Sequence, residues 1–216
     1  MMKTYILTSM FPNGFTPKFA ERLQKLVTKR ERFVFVASEF EKVHEKTDRY
    51  FNIFLNMFRE CGIIFSNACV VDSRMTKEMA QQAVASADVL WLAGGDTPTQ
   101  YGYFETYGLI PIIKARDGIT IGMSAGAINM AKTAICTVTC EHDELKIYEA
   151  LDLVNISVEP HLNSGHISDE LILISEKYPI YGLCDDSVII CEDDEVTYLG
   201  DIFLITKGIV KQISFG

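Results

Sequence analysis

The chain has 216 residues and a mass of 24.3 kDa, which fits a single α/β domain spanning residues 1–216. Apolar residues make up 48% of it, and no linker, repeat or low-complexity run interrupts them, so the composition excludes a disordered protein. The net charge of −9 argues against a general binder of phosphate backbones, and we expect no nucleic-acid partner.

Short apolar runs alternate with helical patterns through the first 123 residues. Strands are predicted at 5–8, 32–37, 63–71, 89–92 and 119–121, and helices at 17–28, 43–61 and 76–85, with two more through residues 103 and 113. Near-continuous apolar strands in a βαβα order favour a parallel sheet that is covered on both faces. The sequence therefore predicts an α/β three-layer sandwich with a mostly parallel central sheet.

The character of the chain changes after a predicted helix at 168–177. Closely spaced strands are expected at 180–183, 187–191, 195–199, 203–206 and 209–213. We expect these last strands to form an antiparallel edge or extension of the sheet.

The cellular location is predicted from the cysteines and the N-terminal segment. The six cysteines contain no C-x-x-C pair and lie mostly in apolar stretches, which indicates buried thiols in a reducing compartment. Residues 1–5 lead into a short strand instead of a signal-peptide core, and no apolar run is long enough to span a bilayer. We therefore expect a cytoplasmic protein without a membrane partner.

A G-x-S-x-G sequence, Gly122-Met123-Ser124-Ala125-Gly126, lies between an apolar strand and a helix of small residues. A sharp strand-to-helix turn exposes the serine, and the amide of the next residue points at the reacting carbonyl oxygen. Small neighbours are what such a cramped turn requires. The pattern predicts a nucleophile elbow at Ser124, although an ordinary glycine-rich turn has the same appearance.

A serine nucleophile needs a base, and the chain offers four histidines. His44 lies in a charged, solvated pattern and His142 in an acidic loop. His161 follows an apolar strand at 154–158, and strand ends are where α/β sheets build sites. Pro160 would hold its backbone in place. His161 is the preferred base, with His142 and His166 as the alternatives.

The oxyanion needs a second amide, and residues 93–96 can supply it. Ala93-Gly94-Gly95-Asp96 follows the strand at 89–92, and glycines let a backbone approach a ligand closely. A tight turn capped by Asp96 is compatible with this role. The segment lacks the phosphate-loop patterns, so no cofactor is expected. A metal site at 140–143, or at His161 with His166, remains a weak alternative because neither spacing is familiar.

Three motifs, at 93–96, 122–127 and 159–161, resemble those of the S51 serine peptidases in order and approximate spacing. That family includes aspartyl dipeptidase and cyanophycinase, and its fold is similar to class I glutamine amidotransferases. The resemblance runs from the first strand to about residue 192. An amidotransferase subunit would carry cysteine at the elbow, where this chain has Ser124, so that group is disfavoured. The α/β-hydrolases are disfavoured too, because their acid precedes the histidine in the chain.

The resemblance implies that Ser124 is the nucleophile and His161 the base, with the amides of Gly95 and Ala125 holding the oxyanion. The family's third member is a glutamate after the next strand, and Asp185 stands in its place here. An aspartate can orient an imidazole equally well, but it is one methylene shorter. The alternatives for the acid are Asp186, Glu141 and Asp143. The expected lining of the site is Gly94, Asp96, Gly122, Gly126 and Asn163.

The substrate expectation departs from the best-known family member. Dipeptidase E carries an arginine shortly after its histidine that pairs with a substrate aspartate, whereas residues 162–170 hold no arginine or lysine. We therefore expect a serine peptidase that acts on small peptides without a strict aspartyl preference. An inactive binding protein of the same fold and a non-peptide amidase or esterase are the alternatives, and a homodimer is a possible assembly.

Overall fold

The structure is a computed structural model that describes residues 3–193 and 195–216, so the first two residues of the predicted N-terminal segment lie outside it. The elements are, in chain order, β1 (Lys3–Thr8), α1 (Pro17–Leu26), β2 (Arg32–Val36), α2 (His44–Glu60), β3 (Asn67–Val71), α3 (Lys77–Ser86), β4 (Val89–Leu92), α4 (Thr97–Thr106), α5 (Ile110–Ala115), β5 (Gly118–Met123), α6 (Ala125–Met130), β6 (Thr133–Cys136), β7 (Lys146–Glu149), β8 (Ser157–Glu159), α7 (Asp169–Ser175), β9 (Ile180–Leu183), β10 (Val188–Glu192), β11 (Glu195–Leu199), β12 (Ile202–Thr206) and β13 (Ile209–Ser214).

The main sheet has seven strands in the order β11-β10-β1-β5-β4-β2-β3. The five strands from β1 to β3 in this order are parallel, and β10 and β11 continue the sheet in antiparallel pairing. Ile6 in β1, for example, lies opposite Ile121 in β5 on one side and Ile190 in β10 on the other. The predicted α/β fold with a mostly parallel sheet is confirmed.

Two apolar layers cover the faces of this sheet. On one face, Phe19 of α1 and Phe54 and Phe58 of α2 pack around Trp91 of β4 in a cluster rich in aromatic rings. On the other face, helices α3 to α6 contribute buried side chains such as Val84, Phe104 and Ile128. Burial of apolar area at roughly 25 cal/mol per Å² makes these two layers the main source of folding free energy.

The fold has a second sheet of four strands in the order β13-β12-β9-β8. Strands β8 and β9 are parallel, and the others are antiparallel. Leu171 and Ile174 of α7 pack against this sheet with Leu162 and Ile180. The C-terminal strands therefore have two destinations, since β10 and β11 extend the main sheet while β12 and β13 join β9. The antiparallel strands predicted near the C-terminus are present, but only β10 and β11 form an antiparallel edge of the main sheet.

Three other elements differ from prediction. Strand β3 begins at Asn67 instead of residue 63, because Ile63 turns back from the end of α2 and its N–H bonds to Phe58 O. The strand expected at 154–158 is reduced to β8, and Val154 forms only an isolated bridge with Ala131. Strands β6 and β7, which the sequence does not predict, form a hairpin, and the acidic segment between them is a loop as expected.

The cysteines and helices bear on the predicted location. All six cysteines are free, yet only Cys136 is fully buried, so the expectation of buried thiols holds for one and the other five are partly exposed. Within residues 3–193 and 195–216, no helix has the length and apolar character that crossing a membrane would require. The cytoplasmic location remains a prediction.

Candidate active site

The candidate site lies where the carboxyl ends of strands from both sheets meet. Ser9 follows β1, residues 93–96 follow β4, and Ser124 follows β5, which is the central strand of these three in the main sheet. His161 follows β8 and Asp185 follows β9, which are parallel neighbours in the second sheet. Sites in open α/β sheets are built at these strand ends.

Ser124 forms the turn between β5 and α6 with a backbone that non-glycine residues rarely adopt. Its φ is 50° and its ψ is −110°, and its N–H donates to Thr8 O at 2.9 Å. The turn is so tight that Gly126 lies against the Leu92 backbone, where a Cβ would collide. Strained backbone at a partly exposed serine side chain is the geometry of a nucleophile elbow.

His161 connects Ser124 to a carboxylate through its two ring nitrogens. Nε2 lies 3.1 Å from Ser124 Oγ, and Nδ1 lies 2.9 Å from Asp185 Oδ1. His161 also has a positive φ of 57°, just after Pro160. The imidazole therefore lies within hydrogen-bond distance of both groups at once, as a base oriented by an acid requires.

Ser9 is a further residue of the site, which the sequence analysis missed. Its Oγ donates to Asp185 Oδ1 at 2.8 Å and accepts the His161 backbone N–H at 2.9 Å. The side chain is fully buried. One hydroxyl thus contacts both the acid and the backbone that carries the base.

The alternative acids lie elsewhere. Asp186 has a positive φ of 65° and no contact with His161, and burial beside Asp185 raises its pKa. Glu141 and Asp143 lie in the exposed turn between β6 and β7. Of the four carboxylates considered, the structure brings Asp185 alone to the imidazole.

The other histidines also lie outside this arrangement. His44 Nε2 lies 2.7 Å from Phe40 O, so it anchors the start of α2 instead of being merely solvated. The His142 ring lies between Thr137 O and Thr97 Oγ1. His166 is exposed, and its backbone N–H donates to Asn163 O. Among residues 3–193 and 195–216, no cluster of three or more metal-ligating side chains occurs.

Of the two residues predicted to hold the oxyanion, Ala125 directly follows Ser124 and Gly95 lines the same cavity as Ser124. Ala125 is the first residue of α6, and an N–H at this position has no acceptor inside its own helix. Gly95 has a φ of 148°, and a Cβ there would lie 2.7 Å from Ser38 Cβ, so only glycine fits. Asp96 caps α4 by accepting the Thr99 N–H at 2.9 Å.

A cavity of about 360 Å³ opens beside Ser124 and His161. Gly94, Gly95 and Asp96 line it, as predicted for the site. The remaining predicted lining residues have other places. Gly122 is paired inside β5, Gly126 lies in the first turn of α6, and Asn163 is exposed with its Oδ1 bonded to the Gly165 N–H. On the other side, the cavity reaches one face of α2.

Glu159 is a buried carboxyl two residues before His161. It is 1% exposed, and both of its oxygens lie within 2.9 Å of Thr137 Oγ1. Burial raises the pKa of Glu159 to about 8, against the lowering effect of the Thr137 hydrogen bond. The short segment that carries His161 therefore begins at a carboxyl group, that of Glu159, which becomes charged only near neutral or alkaline pH.

Comparisons with known proteins identify one family by sequence and two solved structures with a similar fold. The model of peptidase family S51 matches residues 8–199. The fold resembles that of a peptidase from an acI-B1 Actinobacterium, with a TM-score of 0.74 and 16% identity over 100% of this chain and 96% of that one. It also resembles a "Putative Peptidase E Protein" from Listeria monocytogenes EGD-e, with a TM-score of 0.65 and 19% identity over 99% and 100% of the two chains. A search of curated proteins found no significant match.

Proposed function

Because this chain belongs to peptidase family S51 and is a serine peptidase, we propose that it hydrolyses short peptides through Ser124, His161 and Asp185. Ser124 is the nucleophile and His161 is its general base. Asp185 orients the imidazole and stabilises its charged form. The backbone amides of Gly95 and Ala125 hold the oxyanion.

The observation that carries this proposal is the unbroken hydrogen-bond series from the acid to the nucleophile. Asp185 Oδ1, the His161 ring and Ser124 Oγ are joined by distances of 2.9 Å and 3.1 Å. We assign the proton on Nδ1, where it is donated to Asp185, which leaves Nε2 free to accept the Ser124 hydroxyl proton.

The reaction then takes two steps. Ser124 Oγ attacks the peptide carbonyl carbon while His161 Nε2 takes the hydroxyl proton, and the carbonyl oxygen becomes an anion facing the two amides. His161 gives that proton to the leaving amine as the C–N bond breaks, which leaves an acyl group on Ser124. Water, deprotonated by His161, attacks the acyl carbon, and Ser124 leaves with its proton restored.

Ser9 serves in this scheme as a positioning residue. Its hydroxyl connects the backbone of the base to the side chain of the acid. Because side chains of His161 and Asp185 are 43% and 44% exposed, packing alone does not fix them. The buried Ser9 hydroxyl supplies an anchor from the main sheet.

The proposal is tested by labelling and turnover together. A fluorophosphonate probe should modify wild-type protein at Ser124, as located by peptide mass mapping, and should leave Ser124→Ala unmodified. A dipeptide and short-peptide panel should then show amine release by the wild type only. An unlabelled Ser124 would favour a binding protein and overturn the proposal. A labelled Ser124 with no peptide cleaved would instead indicate another amide or an ester as substrate.

A further inference from the structure

We propose that the cavity beside Ser124 selects peptides with an apolar side chain next to the scissile bond, and that Lys46 at its rim pairs with the peptide's free carboxylate. This inference rests on the proposed function, since it names the substrate class of the same site. The observation behind it is that the residues deep in the cavity are apolar, whereas the residues at its rim include charged ones.

The deep part of the cavity is apolar. Phe35, Ala37, Ala93 and Met123 line it, and all four are less than 7% exposed, which makes them part of the protein's own core. Their positions are fixed by strands of the main sheet and by the residues that follow these strands. A charged side chain placed among them would lose its hydration without finding a partner, whereas an apolar one would be stabilised by transfer from water.

One face of α2 forms the opposite wall. Val43, Thr47 and Tyr50 line the cavity together with Lys46. Val43 immediately precedes α2, and Lys46, Thr47 and Tyr50 are spaced three and four residues apart, which places them on a single stripe of the helix. The wall is therefore built by one rigid element, so its side chains keep a constant position relative to the strand ends.

The rim carries charges of both signs. Glu39 accepts hydrogen bonds from Tyr103 Oη and the Glu41 N–H, which hold its pKa below the usual range, and Asp96 is engaged by the Thr99 N–H. Lys46 is exposed and makes no ion pair within the described ranges 3–193 and 195–216. It is the cation available to a carboxylate entering this cavity.

Other cations that could serve a substrate carboxylate are already engaged. Arg74 is paired with Asp48 and Asp72. Arg116 is buried at the amino end of β5, opposite the candidate site, where it donates to the Ala87 and Ile119 carbonyls. The free C-terminal carboxylate of a bound peptide therefore pairs with Lys46 at the rim. The side chain next to the scissile bond packs against the apolar residues deep in the cavity.

The side-chain preference is tested on wild-type protein with two dipeptide series, X-Leu and Leu-X, where X is Leu, Ala, Asp or Lys. In one of the two series, kcat/KM for X = Leu should exceed that for Asp and Lys by about tenfold or more, because an apolar pocket rejects an unpaired charge. Val43→Asp should reduce the preference severalfold. Ile64→Asp, which changes an exposed apolar residue outside the cavity, is the matched control.

The carboxylate contact is tested by comparing each preferred dipeptide with its C-terminal amide. Wild-type protein should prefer the free acid, mainly through KM. Lys46→Gln should remove about a factor of five to ten of that preference, as expected for a partly exposed ion pair, and Lys46→Arg should retain it. An unchanged acid-to-amide ratio in Lys46→Gln would overturn the role of Lys46.

The outcomes separate this inference from the proposed function. Cleavage by the wild type with equal or higher kcat/KM for Asp peptides would overturn the apolar selection and leave the peptidase mechanism standing. A wild type that cleaves no peptide at all would overturn the proposed function, and the inference would fall with it.

Discussion

The two halves of the candidate site are held in different ways. Ser124 lies on the central strand of the main sheet, surrounded by buried backbone and small residues that leave its turn no room to move. His161 and Asp185 come from loops of the smaller sheet, and about two fifths of each side chain is exposed. Ser124 is thus positioned by backbone geometry, and His161 and Asp185 by hydrogen bonds. The two halves should therefore respond differently to substitution.

The largest effect should come from removing either reacting group. Ser124→Ala and His161→Ala should each abolish nearly all peptidase activity, a loss on the order of a millionfold, because neither half functions without the other. The double variant should be little worse than either single one. Steady-state kcat/KM with the best dipeptide is the measurement, and His44→Ala is the control histidine. Strictly multiplicative losses would count against a shared unit.

The second largest effect is expected at the acid. Asp185→Asn should preserve folding and lower kcat by about ten-thousandfold, because an amide no longer stabilises the charged imidazole or fixes its tautomer. Asp186→Asn and Glu141→Gln provide matched controls, since neither residue contacts His161. If one of these controls lost activity while Asp185→Asn kept it, the assignment of the acid would be wrong.

A smaller loss should follow from removing the Ser9 hydroxyl. Ser9→Ala leaves the buried His161 N–H without its acceptor and Asp185 without one donor, which should lower kcat by about ten- to a hundredfold. Ser187→Ala is the matched control, because the hydroxyl of this equally buried serine donates to Asp201 O and not to a residue of the candidate site.

A positioning role for Ser9 has a signature of its own. In the Asp185→Asn background the loss from Ser9→Ala should shrink, and the pH profile of kcat should change in Ser9→Ala but not in Ser187→Ala. Full additivity of the two losses with an unchanged pH profile would show that Ser9 has only a structural role.

A last prediction concerns stability and not turnover. The pKa of Glu159 is about 8 in the folded protein against an ordinary value of 4.5, so between these values the folded state holds a proton that the unfolded chain has released. Wild-type stability should therefore fall as pH rises from 4.5 to 8, by a few kcal/mol at roughly 1.4 kcal/mol per unit.

The matching variant isolates this contribution. Glu159→Gln cannot ionise and keeps a hydrogen-bond partner for Thr137, so the wild-type free energy of unfolding should decline relative to that of Glu159→Gln over the same range. Urea unfolding at several pH values between 4.5 and 8 gives both curves. Parallel curves would contradict a raised pKa at this position.

The halves also differ in how far the sequence could predict them. The strand-to-helix turn at Ser124 could be predicted from adjacent residues, because a strand, two glycines and a serine determine it locally. The placement of His161 and Asp185 depends on β8 and β9 lying side by side, which the motif resemblance supplied and local patterns did not. Whether these residues are catalytic remains a prediction.

Ser9 and Lys46 show where local patterns end. Ser9 is a single serine after a strand, and its importance arises because β1 lies next to β5 in the sheet, which no short-range signal reveals. Lys46 belongs to a charged helix surface, and the sequence does not distinguish it from the other charged residues there. Only the structure shows that it lines the cavity. The division of the last strands between two sheets was likewise inaccessible, since each strand alternates in the same manner whichever sheet it joins.

The unusual backbone of Ser124 sets stability against function. A residue with a side chain at φ 50° and ψ −110° carries about 1 to 3 kcal/mol of strain, which glycine would relieve. Ser124→Gly should therefore melt at a higher temperature than Ser124→Ala, while both are inactive. Selection for heat resistance alone would drive this position toward glycine, so under the proposed mechanism the serine is kept for its hydroxyl at a cost in stability.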